Sequence, residues 1–245
     1  MRLHIIEGEA GCRFAADRRA AAVIVDALRA SATATALLYH GATKLLVTRA
    51  VENAFVLKAE YTDALLFGER GGLPPSGFDF GNSPLEAAHG KGRRIIFTTT
   101  TGAGRMIEAW GATPLLMGST VNSAYVVQYL LKRNVQEVVL VPAGLMNEPH
   151  FDAQEDWAAA AHIAERLCNA DPMEWGEGHE RFLAYWERIQ AEGLPALFAS
   201  APHADKLRAV GRDEDIGWCA RTDVYDAAPL ATEQRPWCVV VRNVG

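Results

Sequence analysis

The sequence has few features of a membrane or secreted protein. No apolar run in its 245 residues approaches the ~20 residues that a membrane-spanning helix needs. The amino-terminal segment has no apolar stretch followed by a small-residue cleavage site, so we expect no signal peptide. Only four cysteines are present, and no two of them form a CxxC pair. This pattern argues against a disulfide framework and predicts a cytoplasmic protein with no membrane partner.

The chain also lacks an excess of positive charge. Its formal net charge is −6, whereas nucleic-acid-binding domains normally present a basic face, so we expect no nucleic-acid partner. A small anionic substrate remains compatible with this charge, because a site needs only local positive charge. The sequence is 49% hydrophobic and 22% charged, which is ordinary for a globular protein with a sizeable core.

Short apolar runs alternate with helical patterns along most of the chain. Strands are predicted at 3–6, 21–25, 44–48, 64–67, 93–98, 113–118 and 137–141, and helices at 26–41, 51–60, 102–110, 123–132 and 155–167. This order predicts an α/β fold with three α/β/α layers around a mainly parallel, mixed sheet. After residue 168 the pattern changes to a helix at 180–191 and late strands at 216–220 and 237–241. With no repeat or linker, we predict one domain over 1–245, with a more divergent part at 170–245.

Polar residues follow several of the predicted strands at the point where each strand ends. They are Asp26, Glu69 and Arg70, the threonines at 98–101, residues 119–122, and Ala143 with Gly144. Ligand sites in open α/β sheets lie on loops past the carboxyl ends of the strands. Because parallel strands bring these ends to one edge, we expect the polar groups to meet there.

Asp26 stands between a predicted strand and a predicted helix. A carboxylate there can act as a metal ligand or a nucleophile, or it can cap the helix, for which aspartate is favoured. Haloacid-dehalogenase-type phosphatases need a second aspartate two residues later, and Leu28 occupies that position. That class is therefore rejected, and the functional and capping roles of Asp26 both stay open.

Two arginines and a threonine run could bind an anion. Arg29 and Arg70 could grip an anionic group through two guanidinium N–H groups, although a lone arginine is often a solvated surface charge. Arg70 is the stronger candidate, because it lies between Glu69 and a glycine pair. The run TTTTG at 98–102 falls between a strand and a helix, where hydroxyls and free N–H groups form an anion cradle. Its first two threonines are equally explained as strand residues.

Paired acids open the helix at 155. Glu155 and Asp156 are favoured there by the helix dipole, and they would also suit Mg²⁺, which prefers oxygen ligands. The seven histidines show neither HxxxH nor HExxH spacing. We therefore interpret them as surface or core residues and predict no zinc site.

Several strings in the chain share their order and spacing with a known family. They are VIVDALRASAT at 23–33, GER at 68–70, GFDFGNSPLE at 77–86, TTTTG at 98–102, GSTVN at 118–122, PAG at 142–144 and ED at 155–156. In these strings the sequence resembles the 2-phosphosulfolactate phosphatase (ComB) family. The resemblance covers residues 23–167 well and continues more weakly through 211–220.

The resemblance implies a Mg²⁺-dependent phosphatase that hydrolyses 2-phosphosulfolactate to 3-sulfolactate and phosphate, a step of coenzyme M biosynthesis. It implies catalytic roles for Asp26, Glu69 and Arg70. It implies substrate-binding roles for Arg29, Asn82, Ser83, Thr100, Thr101, Gly102 and Asn122. The implied metal ligands are among Asp26, Glu69, Glu155 and Asp156. The attacking group is either water or a protein carboxylate, and the chain is compatible with a homodimer.

The sequence departs from the family pattern beside the expected site. Thr101 stands where the family usually has asparagine, Ala103 where it has threonine, and Pro142 where it often has cysteine. A phosphatase for another small phosphorylated hydroxy acid is therefore the second hypothesis. A catalytically inactive anion-binding protein of the same fold is the third, and the number of retained acids argues against it.

Overall fold

The computed structural model describes residues 1–146, 148 and 151–244. Its strands are β1 (Arg2–Ile5), β2 (Ala21–Val25), β3 (Lys44–Val47), β4 (Leu65–Gly68), β5 (Arg94–Thr98), β6 (Leu115–Met117), β7 (Glu137–Pro142), β8 (Glu174–Trp175), β9 (Pro229–Arg235) and β10 (Cys238–Asn243). Its helices are α1 (Gly8–Arg18), α2 (Ala30–Tyr39), α3 (Val51–Glu60), α4 (Gly102–Glu108), α5 (Ser123–Lys132), α6 (Gln154–Ala170), α7 (His179–Glu192), α8 (Leu194–Ala199), α9 (Pro202–Ala209) and α10 (Asp213–Cys219). Short 3₁₀ helices span Pro84–Gly90 and Thr120–Asn122.

The strands form one mixed sheet in the order β4-β5-β3-β10-β9-β6-β2-β7-β1-β8, which confirms the predicted α/β class. It contains two parallel blocks, β4-β5-β3 and β6-β2-β7-β1-β8. The hairpin β9–β10 joins them through three successive antiparallel pairings. Because three reversals separate the blocks, their strands run in opposite directions.

Both faces of the first block are buried, as its apolar strands require. Along β3, Leu45 and Val47 belong to the main core, whereas Leu46 faces a second cluster that includes Ala54 and Leu57 of α3. The same alternation occurs in the neighbouring strands β5 and β10. Successive strand residues point to opposite faces, so helices cover this part of the sheet on both sides.

Helix α2 links the two blocks. It is apolar or small-polar on every side, and all of its residues except Tyr39 are buried, which is typical of a helix enclosed by the core. It contacts β3 and β10 on one side of the sheet centre and β9 and β6 on the other, and it also contacts α4. Helix α2 therefore holds the loops of the two opposed blocks near each other.

The carboxyl-terminal part differs most from the sequence prediction. Residues 216–220 were predicted as a strand, and this is wrong: they end helix α10, whose first turn holds Asp213, Glu214 and Asp215. Acidic residues in a first turn are favoured by the helix dipole and should have indicated a helix. The late strand at 237–241 is confirmed as β10, while α1, α8, α9 and β9 were not predicted. In the described part of the chain, no helix combines the length and apolar character that crossing a membrane requires.

Candidate active site

A cavity of about 390 Å³ lies where the loops after β2, β4, β5 and β7 meet helix α9. Its polar lining includes Asp26, Arg29, Glu69, Asn82, Thr100, Thr101, His203 and Lys206, and its apolar lining includes Leu28, Leu145, Met146 and Leu207. Small-molecule sites typically combine an apolar wall with a few convergent polar groups. This cavity therefore has the composition of a binding site for a small polar molecule.

Two of these loops come from opposed blocks of the sheet. Strands β2 and β5 are five positions apart, which would separate their ends by roughly 24 Å in a flat sheet. Yet a Cβ built on Gly102, just after β5, would lie 2.6 Å from Asp26 Oδ2, just after β2. The expectation that a single parallel edge gathers the strand ends is thus wrong. The contacts of α2 and α4 with both blocks bring the loops together.

Asp26 both caps a helix and faces the cavity. Its Oδ1 accepts a hydrogen bond from Ala30 N at 3.0 Å, at the start of α2. Its Oδ2 has no hydrogen-bond partner in the residues described and lies against Gly102. The two roles left open by the sequence therefore use different oxygens. Burial raises the pKa of Asp26, with only partial opposition from the charge of His203 and the Ala30 N–H.

Glu69 connects the loop after β4, which contains Gly72, to the loop after β5, which contains Thr100. Its Oε1 accepts a hydrogen bond from Thr100 N at 2.6 Å, and its Oε2 accepts from Gly72 N at 2.9 Å and Thr100 Oγ1 at 3.2 Å. The Thr100 N–H, expected to bind a substrate anion, is thus occupied by a protein carboxylate. Thr101 lines the cavity, and its hydroxyl oxygen accepts from Met146 N.

Glu155 and Asp156 begin helix α6 behind the cavity, and both are buried. Asp156 accepts hydrogen bonds from Ala27 N and Gly144 N, at 2.7 and 3.1 Å, and so joins the loops after β2 and β7. Burial, together with the Glu155 and Asp26 carboxylates, raises the pKa of Asp156 well above its usual value. Burial is the largest cause of this shift, and the neighbouring carboxylates add to it.

Only one of the two carboxylate oxygens of Glu155 has a hydrogen-bond partner in the described residues. Its Oε1 lies 3.0 Å from His203 Nδ1. Although burial alone would lower the pKa of His203, this hydrogen bond and the charges of Glu155, Asp26 and Glu69 raise it. The other oxygen of Glu155, Oε2, is buried, and the described chain offers it no hydrogen-bond partner. An uncompensated buried carboxylate oxygen is costly, so this position suits a cation.

The four predicted metal ligands do not form one enclosed set. Within residues 1–146, 148 and 151–244, no three His, Cys, Asp or Glu side chains are arranged to hold a metal ion by themselves. Glu69 and Asp156 already accept two or more hydrogen bonds each. Mg²⁺ is usually bound through one or two carboxylates, with waters and substrate phosphate oxygens completing its shell. Of the four side chains, Asp26 Oδ2 and Glu155 Oε2 are the carboxylate oxygens that no hydrogen bond in the described residues occupies.

Arg29 lines the cavity, but its charge is already balanced. The guanidinium forms a buried ion pair with Asp215 of α10, and its Nη2 donates to Gly72 O at 2.9 Å. Ser83, expected to bind substrate, donates instead to Asp215 Oδ1 at 2.5 Å. Ser83 and Asp215 therefore hold Arg29 in place, and Ser83 has no direct role in the cavity.

The two asparagines named by the resemblance have different environments. Asn82 lines the cavity and is buried, and its Oδ1 has no hydrogen-bond partner in the part of the chain described. Asn122 lies in the core, where its Nδ2 donates to Thr35 Oγ1 and Ala227 O and its Oδ1 accepts from Ser119 N. The predicted substrate-binding role of Asn122 is therefore replaced by a structural one.

Arg70 does not point where the sequence suggested. Its guanidinium donates to Glu69 O and Arg49 O, both at 2.6 Å, and to Thr98 Oγ1 at 2.9 Å. Thr98 ends strand β5 and Arg49 follows strand β3, so Arg70 connects the loop after β4 to the ends of the two neighbouring strands. A direct substrate clamp at Arg70 is not what the structure shows.

Arg70→Lys is accordingly expected to lower stability. A lysine ammonium cannot reproduce the planar fork that reaches the three acceptors, so we expect a loss of about 1–3 kcal/mol in the free energy of unfolding. KM should change little. Thermal unfolding and steady-state kinetics measure the two quantities, with Arg188→Lys as a surface control. A raised KM with an unchanged Tm would instead assign Arg70 to the substrate.

Three groups around the cavity were missed in the sequence. His203 was interpreted as a surface or core histidine, yet it lines the cavity beside Lys206. Asp215 forms a buried ion pair with Arg29. His203 and Lys206 belong to α9 and Asp215 to α10. One available signal was the weak family resemblance over 211–220, which includes Asp215.

Sequence comparisons with known proteins identify the family of this chain. The family model described as 2-phosphosulpholactate phosphatase matches residues 12–234. This chain belongs to that family. Relatives named probable 2-phosphosulfolactate phosphatase include one from Carboxydothermus hydrogenoformans, 35% identical over 85% of each chain. Another, from Pseudothermotoga lettingae, is 34% identical over 87% of this chain and 90% of its own. A third, from Deinococcus radiodurans, is 35% identical over 85% and 86%, respectively.

The family match covers the residues that build the cavity. Asp26, Glu69, Asn82, Thr101 and His203 all lie within residues 12–234. Helices α9 and α10, which the sequence prediction missed, are also inside the matched range. The match therefore includes most of the carboxyl-terminal part, up to residue 234.

Proposed function

We propose that this chain is a Mg²⁺-dependent phosphatase that hydrolyses 2-phosphosulfolactate to 3-sulfolactate and phosphate. The observation that carries the proposal is the position of Asp26. Its Oδ2 faces the cavity and lies against the first residue of α4, at the end of the family string TTTTG. The name of the family and of its relatives supplies the substrate.

The chain's own groups would orient the substrate at Asp26. Thr101 Oγ1 accepts its hydrogen bond from Met146 N, which leaves the hydroxyl hydrogen able to donate to a phosphoryl oxygen. The Asn82 amide offers both donors and an acceptor beside it. Asp26 Oδ2 is then placed either to attack the phosphoryl group or to take a proton from attacking water.

The charge balance supports a metal requirement. The substrate has phosphate, sulfonate and carboxylate groups, and four acidic side chains, Asp26, Glu69, Glu155 and Asp156, lie at or next to the cavity, so a cation there would offset the charge of the substrate. Asp26 and Glu155 would hold the ion through the oxygens without hydrogen-bond partners. When bound, Mg²⁺ would polarise the phosphoryl oxygens and lower the pKa of a bound water.

A phosphate-release assay tests both halves of the proposal. We expect the purified protein to release phosphate from 2-phosphosulfolactate when Mg²⁺ is present. Treatment with EDTA should abolish the activity, and added Mg²⁺ should restore it. Full activity after chelation would remove the metal from the proposal.

The same assay separates the competing functions. Thr101 replaces the usual asparagine and lines the cavity, so a panel of other phosphorylated hydroxy acids should be assayed in parallel. A strong preference for one of them would favour the second hypothesis. No hydrolysis of any, with retained anion binding, would favour the inactive binding protein.

A cytoplasmic location is part of the proposal. All four cysteines are free thiols, and three of them are buried. Free cysteines are typical of a reducing compartment. The isolated chain from a reducing lysate should therefore show four titratable thiols after unfolding.

A further inference from the structure

Helix α9 places Lys206 at the cavity between two residues that contact the rest of the protein. His203, Lys206 and Leu207 lie at spacings of three and four residues, so they share one face of the helix, and all three line the cavity. His203 is bonded to Glu155. Leu207 is buried, and its Cδ2 lies 3.8 Å from a Cβ built on Gly72. These two residues therefore anchor the helix on both sides of Lys206.

The two arginines expected to bind substrate are already committed to protein groups. Arg29 is paired with Asp215 and donates to Gly72 O. Arg70 donates to two main-chain oxygens and a threonine hydroxyl. Each arginine has given part of its guanidinium to protein acceptors, so an anionic group would have to use the remaining N–H groups or break hydrogen bonds whose loss is costly.

Lys206 is bound much more weakly. In the described residues its ammonium pairs with Glu148, with Nζ 3.3 and 3.4 Å from the two carboxylate oxygens. Both side chains are about half exposed, at 48% and 56%. Exposed pairs of this kind contribute roughly 0–1 kcal/mol. The ammonium also lies 4.5 Å from the centroid of the Phe151 ring, a contact worth about 0.5–1 kcal/mol at an exposed site. An anion in the cavity can therefore take Lys206 from Glu148 at a modest cost.

We propose that Lys206 determines substrate specificity by binding one of the two anionic groups that do not react, the sulfonate or the carboxylate of the substrate. This inference rests on the proposed function, which places the phosphoryl group at Asp26 and Thr101. The remainder of the substrate then extends toward α9, where Lys206 meets its sulfonate or its carboxylate. The ammonium contact selects substrates with a second anionic group over simple phosphate monoesters.

The test compares three substrates in matched variants. The substrates are 2-phosphosulfolactate, 2-phospholactate, which lacks the sulfonate, and 2-(phosphonooxy)ethanesulfonate, which lacks the carboxylate. The variants are Lys206→Met, Lys206→Arg and, as a control at an exposed position, Lys91→Met. The measured quantities are kcat and KM for each pair, with circular dichroism to confirm that every variant is folded.

We expect Lys206→Met to reduce kcat/KM for 2-phosphosulfolactate by about 10- to 100-fold, mainly through KM, which is the scale of a lost hydrogen bond to a charged group. The value of kcat/KM for 2-phosphosulfolactate, divided by that for the substrate that lacks the bound group, should fall by the same factor. Lys206→Arg should restore most of that ratio, and Lys91→Met should leave it unaltered. If Lys206→Met no longer discriminates against 2-phospholactate, Lys206 binds the sulfonate. If it no longer discriminates against 2-(phosphonooxy)ethanesulfonate, Lys206 binds the carboxylate.

Two results would overturn the inference. Wild-type kinetics in Lys206→Met would remove Lys206 from the substrate site. An equal penalty on all three substrates would show that Lys206 acts on the phosphoryl group or on the fold. The wild-type protein tests the proposed function separately, because failure to hydrolyse any of the three substrates with Mg²⁺ would contradict the function itself.

Discussion

Asp26→Asn is expected to lower kcat by roughly 10²- to 10⁴-fold, the scale of removing a catalytic acid–base group, and by more if the carboxylate is the nucleophile. Asparagine retains an oxygen that can accept from Ala30 N, so the start of α2 should be preserved. It replaces the carboxylate oxygen that faces the cavity with an amide N–H₂ group. The expected loss is therefore one of chemistry, and steady-state phosphate release measures it.

The same substitution should raise stability in metal-free buffer. Burial raises the folded-state pKa of Asp26, so the folded protein binds more protons here than the unfolded chain. Such a carboxyl group reduces stability as the pH rises through its unfolded and folded pKa values. The substituted amide does not ionise, so Tm should increase near neutral pH, and the increase should shrink as the pH is lowered toward the unfolded pKa. Lost activity with a lower Tm would indicate damage to the fold.

Asp17→Asn provides the matched control, because Asp17 is exposed on α1. Surface substitutions of this kind usually change stability by less than about 0.5 kcal/mol. Activity should also be unaffected. If Asp26→Asn behaved like this control, neither attack by Asp26 nor proton transfer through it could be part of the reaction.

The α/β class followed from the sequence because strands β1 to β7 are short apolar runs separated by helices. Their parallel pairing within each block was equally accessible. The reversal between the blocks was not, because it depends on β10 pairing with β3 from the opposite end of the chain. Such a pairing leaves no local pattern, since register and partner are set by the buried faces that meet in three dimensions.

The position of a site residue was predictable where the loop alone determines it. It was less predictable where the direction of a long side chain decides which groups the residue contacts. Asp26, Glu69, Asn82 and Thr101 line the cavity as expected from their loops. Arg70 occupies a similar loop, yet its long side chain turns to main-chain oxygens. A strand-end position places the Cα atom and not the guanidinium, which lies several rotatable bonds away.

The groups contributed by α9 and α10 could not be found by any spacing rule. Their approach depends on tertiary contacts, chiefly the Arg29–Asp215 pair and the packing of Leu207 beside Gly72. The contact of His203 with Glu155 likewise joins α9 to the start of α6. Charge offered one indirect hint, because four acidic residues expected at one site require compensating cations nearby.

Gly102→Ala is expected to have the second largest effect, because the glycine leaves room for the Asp26 carboxylate. A Cβ at this position would lie 2.6 Å from Asp26 Oδ2 and 2.6 Å from Ala30 Cβ. Real Cβ atoms do not approach so closely, so Asp26 or the start of α4 must shift. A displacement on the order of 1 Å at a reacting group can cost about 10²-fold in rate, and the overpacking should cost about 1–3 kcal/mol in stability.

Gly217→Ala in α10 is the control for the general effect of adding a methyl group to a helical glycine. A Cβ at Gly217 meets nothing within 4 Å, and alanine is favoured over glycine in helices by about 1 kcal/mol. We therefore expect Gly217→Ala to keep full activity and gain slightly in Tm, while Gly102→Ala loses both. Because Gly102 itself contributes no side chain, its effect on kcat tests whether the position of Asp26 limits the rate. Normal kcat in a destabilised Gly102→Ala protein would show that the carboxylate tolerates displacement, which would argue against direct attack by Asp26.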